Sequence, residues 1–328
     1  VRGARLPIRR RLRTLAVAGA AAAGAVAVLW FLLGPFASWV GGADVARLAD
    51  AERAAVLSGI RGQIAGFLAP LGISVPAWAA VRKLLLDRDK QVTDIYATAI
   101  GHLGSERAST RAGGVRTLER MYEDSPRDRA RVVETLTDFL RSHGGTGQPL
   151  PLDVRVALRA LRTHPPPQGT RLDLVRVQLP GAELRLTDLR HANFAAAKLT
   201  DADFAEARLD CADFTGAILT SAELAGAKLP TAALDRASCR RANLRGAVLT
   251  RASLRGTDLT EAVLSDADLS NADLTGATLA RADVSGAAFA HAVLVGVDLG
   301  SVRGLSRDAL RLAVTDATTK LPPDPAAG

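Results

Sequence analysis

From residue 172 to residue 299 the chain repeats every five residues without one insertion, and no other feature restricts its fold as much. The repeat has 26 large apolar centres: twenty Leu, four Phe (Phe194, Phe204, Phe214, Phe289), Cys239 and Val284. Two residues before each centre stands Ala in 21 of the 26 cases, and Leu172, Val177, Thr187, Thr257 and Val297 take the other five places. A β-strand would turn successive centres to opposite faces, because its side chains alternate with a period of two. An α-helix at ~100° per residue would smear them around its circumference. A coil of four short sides, one pentapeptide per side with both marked positions inward, satisfies the period. Side chains then stack every twenty residues, so Phe194 lies over Phe214, and Leu219, Cys239 and Leu259 form another column. Cys239 becomes core filling, whereas Cys211 falls on an outward position and does not meet it.

The segments ADFTG (212–216), ANLRG (242–246) and ADLTG (272–276) resemble the pentapeptide-repeat family, whose pattern is A-(D/N)-L-x-x. The resemblance implies a mainly β fold, a right-handed quadrilateral β-helix of four repeats per coil over residues 171–303. At the strand spacing of ~4.8 Å its 6.5 coils would form a rod roughly 31 Å long. Residues 304–328 resemble the closing segment of such solenoids, with Ser306 capping a short amphipathic helix through Leu310 and Val314 that covers the last coil edge.

Aromatic residues make up only 4% of the 328 residues, so a core has to be built from Leu and small side chains. Arg outnumbers Lys 37 to 5, the bias of a GC-rich bacterial genome. Two Cys cannot supply a disulfide framework or a four-ligand zinc site. The formal charge of +8 is uneven: residues 1–13 hold six Arg and no acid, whereas residues 171–303 hold 15 basic and 17 acidic side chains. The excess basicity therefore belongs to the N-terminal cluster (Arg2, Arg5, Arg9, Arg10, Arg11, Arg13), and the rod is nearly neutral.

That cluster precedes residues 15–33, nineteen apolar or small residues closing on Trp30 and Phe31. As a helix they reach ~28 Å, close to the thickness of a bilayer core. The expectation is a transmembrane helix within residues 14–40, and a cleaved signal peptide is the rival reading. Residues 60–81 form a second expected membrane segment, uncharged from Gly62 to Val81 and ending against Arg82 and Lys83, with Pro70 and Pro76 inside it. A buried or re-entrant segment is its alternative. If both span, the positive-inside rule places both termini, and the solenoid, on the cytoplasmic side of the cell membrane. With a single span the C-terminal bulk lies outside.

Residues 89–163 carry apolar residues at helical spacing and read as a small all-α module of four short helices: 92–103, 115–122, one opened by Ser125, Pro126, Arg127 and Asp128, and 152–161. Val132, Val133, Leu136, Phe139 and Leu140 are the expected buried stripe of the third. The strings HLGSE, RAGGVRTLER and DSPRDRARVVETL resemble a helical module of actinobacterial membrane proteins that precedes pentapeptide repeats. In those relatives it commonly follows two membrane spans, and the two prolines depart from that pattern. Residues 164–170, with three consecutive Pro, read as a stiff linker.

No phosphate loop, dinucleotide fingerprint, H-E-x-x-H or C-x-x-C occurs. His191 and His291 share a side but stand five coils, about 24 Å, apart, so no metal site is expected. The Asp residues before the centres, such as Asp203, Asp213, Asp268 and Asp273, read as a solvated ladder instead of acid pairs. No enzyme, cofactor or small-molecule substrate is expected. The first functional expectation is a membrane-anchored, non-catalytic scaffold for an unidentified protein partner. The alternative comes from the family resemblance, some of whose soluble members imitate DNA and bind DNA gyrase. Such imitation requires a strongly acidic rod, and here a basic belt of Arg236, Arg240, Arg241, Arg245, Arg251 and Arg255 circles it. The same belt is the candidate binding surface for nucleic acid or anionic lipid, a third and lesser reading because aromatic stacking platforms are missing.

Overall fold

The computed structural model describes residues 50–68, 75–145 and 147–321. The basic cluster and the first apolar stretch, residues 1–40, lie outside the described residues. The chain divides into two compact units, residues 1–91 and 92–328. Helices α1 (Asp50–Leu68) and α2 (Val75–Leu103) come first, with the division falling inside α2. The apolar segment 60–81 is thus shared between the end of α1 and the start of α2. Pro76 stands in the first turn of α2, where a missing amide hydrogen costs little. Among the described residues no helix is long and apolar enough to cross a membrane.

In the second unit α2 is followed by α3 (Ala108–Asp124), a 3₁₀ turn (Pro126–Asp128), α4 (Arg129–His143) and α5 (Leu152–Thr163). The expected stripe Val132, Val133, Leu136, Phe139 and Leu140 is buried. The first helix is longer than its periodic core suggests, because α2 begins at Val75 instead of near residue 92. The opening of α4 also differs. Ser125 does not cap a backbone amide; its hydroxyl bonds the Asp128 carboxylate. The helices are fastened through long sequence separations. Asp153 on α5, fully buried, pairs with Arg111 on α3 at 2.5 Å, and the same guanidinium donates to the carbonyls of Ser105 and Glu106 at 2.9 and 2.8 Å. Tyr122 donates its hydroxyl to the Pro165 carbonyl and packs edge-on to His164, which ties the Pro-rich stretch to the helices.

From Leu172 every pentapeptide forms one side of a right-handed β-helix. Every centre is buried, and so is every position two before a centre, the exceptional Thr187 and Thr257 included. Thr257 stays satisfied by donating to the Leu234 carbonyl at 2.7 Å. Parallel bridges join residues one coil apart, from Asp173 with Asn193 to Asp283 with Arg303. The backbone donors of one repeat, 212–216, show why the pattern takes its form. Ala212 N–H closes the preceding turn on Leu209 O (3.0 Å); Asp213 N–H reaches back to Ala192 O (2.9 Å); Phe214 and Gly216 N–H reach forward to Ala233 O (2.6 Å) and Asp235 O (2.8 Å). The fifth donor, Thr215 N–H, goes to the Asp213 carboxylate at 2.9 Å. Four donors are satisfied by backbone, and the Asp or Asn before the centre takes the last.

Each corner residue two past a centre has positive φ, in every repeat from residue 176 to residue 296, and most of these corners are not glycine. A left-handed L-residue costs about 1–2 kcal/mol, so the fold accepts repeated local strain in return for closing the square. Inside the coil Phe194 stacks on Phe214 at 5.0 Å and 6°, as the period of one coil demands. Phe204, from the opposite side, meets both edge-on at 5.7 and 5.8 Å. Cys239 is buried and its thiol pushed up to about 12 by desolvation, whereas Cys211 is exposed and contacts Thr231; both are free.

The helices and the first coils share one continuous apolar core. Arg141 reaches from α4 to Asp173 at 2.8 Å. Gly144, just past α4, comes so near the first coil that an added Cβ would stand 2.6 Å from the Gln178 carbonyl oxygen. At the far end the expected helix through Val314 is only one turn, α6 (Arg307–Leu310), with Ser306 accepting from Asp308 N–H at 3.2 Å. Beyond it the chain returns to the β-helix. Val314 pairs with Val293 and Lys320 with Asp298, each slightly farther along the chain than one regular coil. Unpaired backbone on the last coil edge is satisfied better by added bridges than by a helix lying across it.

Candidate functional site

The arginine belt runs through five successive pentapeptides and so reaches all four sides of the coil, at the turn positions where side chains leave the core. The structure engages four of its six members with acids of the following coil. Arg240 pairs with Asp258 (3.2 Å), Arg241 with Glu261 (2.8 Å), Arg245 with Asp266 (3.6 Å) and Arg255 with Asp273 (2.6 Å). Arg281, one coil on, reaches back to Glu261 at 2.7 Å, so this carboxylate sits between two guanidinium groups. Among the described residues no ion pair involves Arg236 or Arg251. Each pair spans close to one coil of sequence, and an acid spaced so from an arginine is the sequence signal for these contacts.

These contacts depress the carboxylates. Hydrogen bonding from Arg241, with Arg281 adding its charge, holds Glu261 below the ordinary carboxylate range. Burial pushes Asp258 and Asp273 up, but hydrogen bonds from Thr260 and Thr275, with the Arg240 and Arg255 guanidinium groups, outweigh it and leave both lowered. The ladder of Asp residues before the centres is thus more than a solvated face: Asp203, Asp213, Asp268 and Asp273 each accept the backbone N–H two residues on, at 2.9 to 3.0 Å. A carboxylate engaged in this way is a structural acceptor, and at Asp273 the lowered pKa also opposes use as a general acid.

Among the described residues no group of three or more His, Cys, Asp or Glu is placed to hold a metal ion. His191 and His291 both occupy left-handed corners, at φ of 59° and 60°, far apart along the rod.

The comparisons with known proteins agree with the geometry. The family model for pentapeptide repeats matches residues 170–204, 197–234, 231–266 and 267–303, in eight copies. No curated protein matches the chain. Among solved structures, HetL, a pentapeptide repeat protein involved in heterocyst differentiation regulation from the cyanobacterium Nostoc sp. strain PCC 7120, is 31% identical. The match covers 46% of this chain and 81% of HetL, with a TM-score of 0.20. QnrB1, a plasmid-mediated fluoroquinolone resistance protein, is 24% identical over 44% of this chain and 79% of its own, with a TM-score of 0.35. A pentapeptide repeat protein from the Arabidopsis thaliana thylakoid lumen is 28% identical over 41% and 83%, with a TM-score of 0.21. With an unbroken five-residue register, a square coil of buried centres and this match to the repeat model, the chain belongs to the pentapeptide-repeat family.

Proposed function

We propose that the protein is a membrane-anchored, non-catalytic scaffold whose solenoid presents side-chain faces to a protein partner on the cytoplasmic side of the cell membrane. One observation carries the scaffold reading: the rod neutralises its own charge, coil against coil, at four of the six belt arginines. A surface whose cations are already matched favours selective docking over general attraction to polyanions. The anchor rests on the basic cluster at residues 1–13 and the uncharged stretch that follows it. Arg236 and Arg251, which keep unmatched charge, are the belt positions proposed to face the partner.

The reading is tested by a reporter fused after Gly328 that is active only in the cytoplasm, combined with crosslinking of the full chain in cells. Cytoplasmic activity together with a reproducible crosslinked protein supports it. An external C-terminus refutes the cytoplasmic placement. The alternative, a DNA-like modulator of gyrase, predicts that the full chain inhibits or protects supercoiling, and a supercoiling assay decides it. Arginines alternating with acids around the rod oppose the continuous negative face that this alternative needs.

A further inference from the structure

A cleft of about 390 Å³ lies between α5 and the first coil of the solenoid, and none of its residues belongs to the belt. Its wall on the α5 side carries Arg155, Arg159 and Arg162, all exposed. At ~100° per residue these three fall within ~60° of one another, and at 1.5 Å per residue they span ~10 Å along the helix. Among the described residues none of the three has an ion pair or a side-chain hydrogen bond, in contrast to the belt. Leu152, 46% exposed, stands one turn before the row and opens an apolar floor that continues through Val156. Across the cleft Pro180 and Glu183 of the first coil form the opposite wall.

We propose that this cleft docks an extended peptide segment of a protein partner, one that alternates acidic and apolar residues; the inference rests on the scaffold reading and assigns it a site. The spacing selects the occupant. An extended chain returns to the same face every second residue, at ~6.6 to 6.8 Å, close to the ~6 Å step from Arg155 to Arg159. Two successive acids on one face of the peptide therefore meet Arg155 and Arg159, and Arg162, ~4.5 Å farther along the helix, adds its fork to the second of them. Arginine forks bind carboxylates in paired hydrogen bonds, and three charges unmatched among the described residues keep that capacity free. Apolar residues on the other face of the peptide cover Leu152 and the floor beside it. A single phosphate is too small to engage the whole arginine row, and a flat lipid surface cannot enter a concave cleft. Glu183 on the far wall repels an acid placed there, which orients the peptide with its acidic face toward α5.

The probe is a fluorescein-labelled peptide of alternating Glu and Leu, with Gln–Leu and Lys–Leu peptides as controls, titrated by anisotropy against the full chain in detergent. The Glu–Leu peptide is expected to bind, and the controls at least ~tenfold more weakly. Arg159→Glu is expected to cost ~tenfold and the triple reversal R155E/R159E/R162E ~hundredfold or more, with lysine replacements losing less. Because all three side chains are exposed, the circular dichroism and melting curve of each variant should match those of the parent. A triple Gln variant, free of introduced like-charge repulsion, should still lose most of the binding. Equal binding by parent and triple variant overturns the site while leaving the scaffold reading in place. Competition by inorganic phosphate, or by phosphatidylglycerol vesicles, that exceeds competition by unlabelled peptide assigns the row to a phosphate-bearing ligand and overturns the peptide. A full chain that crosslinks to no protein in cells overturns the scaffold reading whatever the peptide does.

Discussion

The helices of residues 92–163 and the solenoid that follows share one apolar core, yet they encode their contacts over different ranges. In the solenoid the β-bridges join residues one coil apart, and the same offset recurs repeat after repeat until the final turns. In the helices the deciding contacts join residues far apart and occur once each: Tyr96 with Thr135, Arg111 with Asp153, Tyr122 with Pro165. The solenoid spreads its specification over many interchangeable units, so damage to one should stay local or propagate coil by coil. The helical segment concentrates its specification in a few polar fastenings, and losing one should loosen the whole segment.

The largest effect is expected from an inward charge. Leu244→Asp places a carboxylate at a fully buried centre and should cost more than about 5 kcal/mol, seen as loss of a cooperative urea transition. An unchanged melting curve would refute the inward register. Next comes Arg111→Leu, which leaves the buried Asp153 carboxylate without its cation. About 3–5 kcal/mol should be lost, and hydrogen exchange should rise across residues 92–163 while the distal coils stay protected. The double variant Arg111→Leu/Asp153→Leu should recover much of the loss, and exchange spreading evenly through all coils would erase the contrast between the regions.

Acid titration follows in size. Asp188, held down first by its hydrogen bond from Arg190, and Glu261, held down by Arg241, have pKa values below those of the unfolded chain. Asp258 and Asp273 are lowered too, despite the opposing effect of burial. A depressed carboxylate contributes stability above its unfolded pKa and loses it as the pH falls through the folded value. Stability should therefore be flat from neutrality down to the ordinary carboxylate range and then fall below it. Stability that rose on acidification there would contradict the pairing.

Single repeat elements should show smaller, local effects. Gly216 sits at φ 66° with nothing near its missing Cβ, so Gly216→Ala tests the left-handed corner alone and should cost about 1 kcal/mol. Smallest of all is Arg255→Ala, which removes an exposed pair with Asp273. It should leave the midpoint of chemical denaturation almost unchanged. A much larger change there would mean that the belt fastens the coils as firmly as Arg111 fastens the helices.

Legibility in the sequence follows the same division. The stack of Phe194 on Phe214 is readable because equal residues recur one coil apart, but the edge-on approach of Phe204 is not, since it crosses the coil between different sides. The Asp ladder is visible as a pattern while its hydrogen bond to the turn is not; the tight turn brings that carboxylate to an amide two residues on. The belt is legible as six arginines, and acids 18 to 21 residues on mark four of them as candidates for pairing, while the distance at which each pair meets is set by how the next coil carries the acid past. Arg155, Arg159 and Arg162 give no signal of their own, because three arginines on one helix face look like a solvated surface until a coil is set across from them. The tail reads as a longer helix because Leu310 and Val314 are four apart, and the bridge of Val314 to Val293 needs the last coil to be present.

By itself the amino-acid sequence determined the five-residue register and its two inward positions, because the period never slips, and its resemblance to pentapeptide repeats implied the square coil and its stacked columns. Tertiary structure alone decided how closely the belt arginines meet their acids, how the tail closes the final edge, and where the helices meet the first coil to leave a cleft. The reason is physical: a periodic backbone sets local contacts by short-range sterics and hydrogen bonding, whereas charge pairing and clefts depend on distances between segments that no local rule specifies.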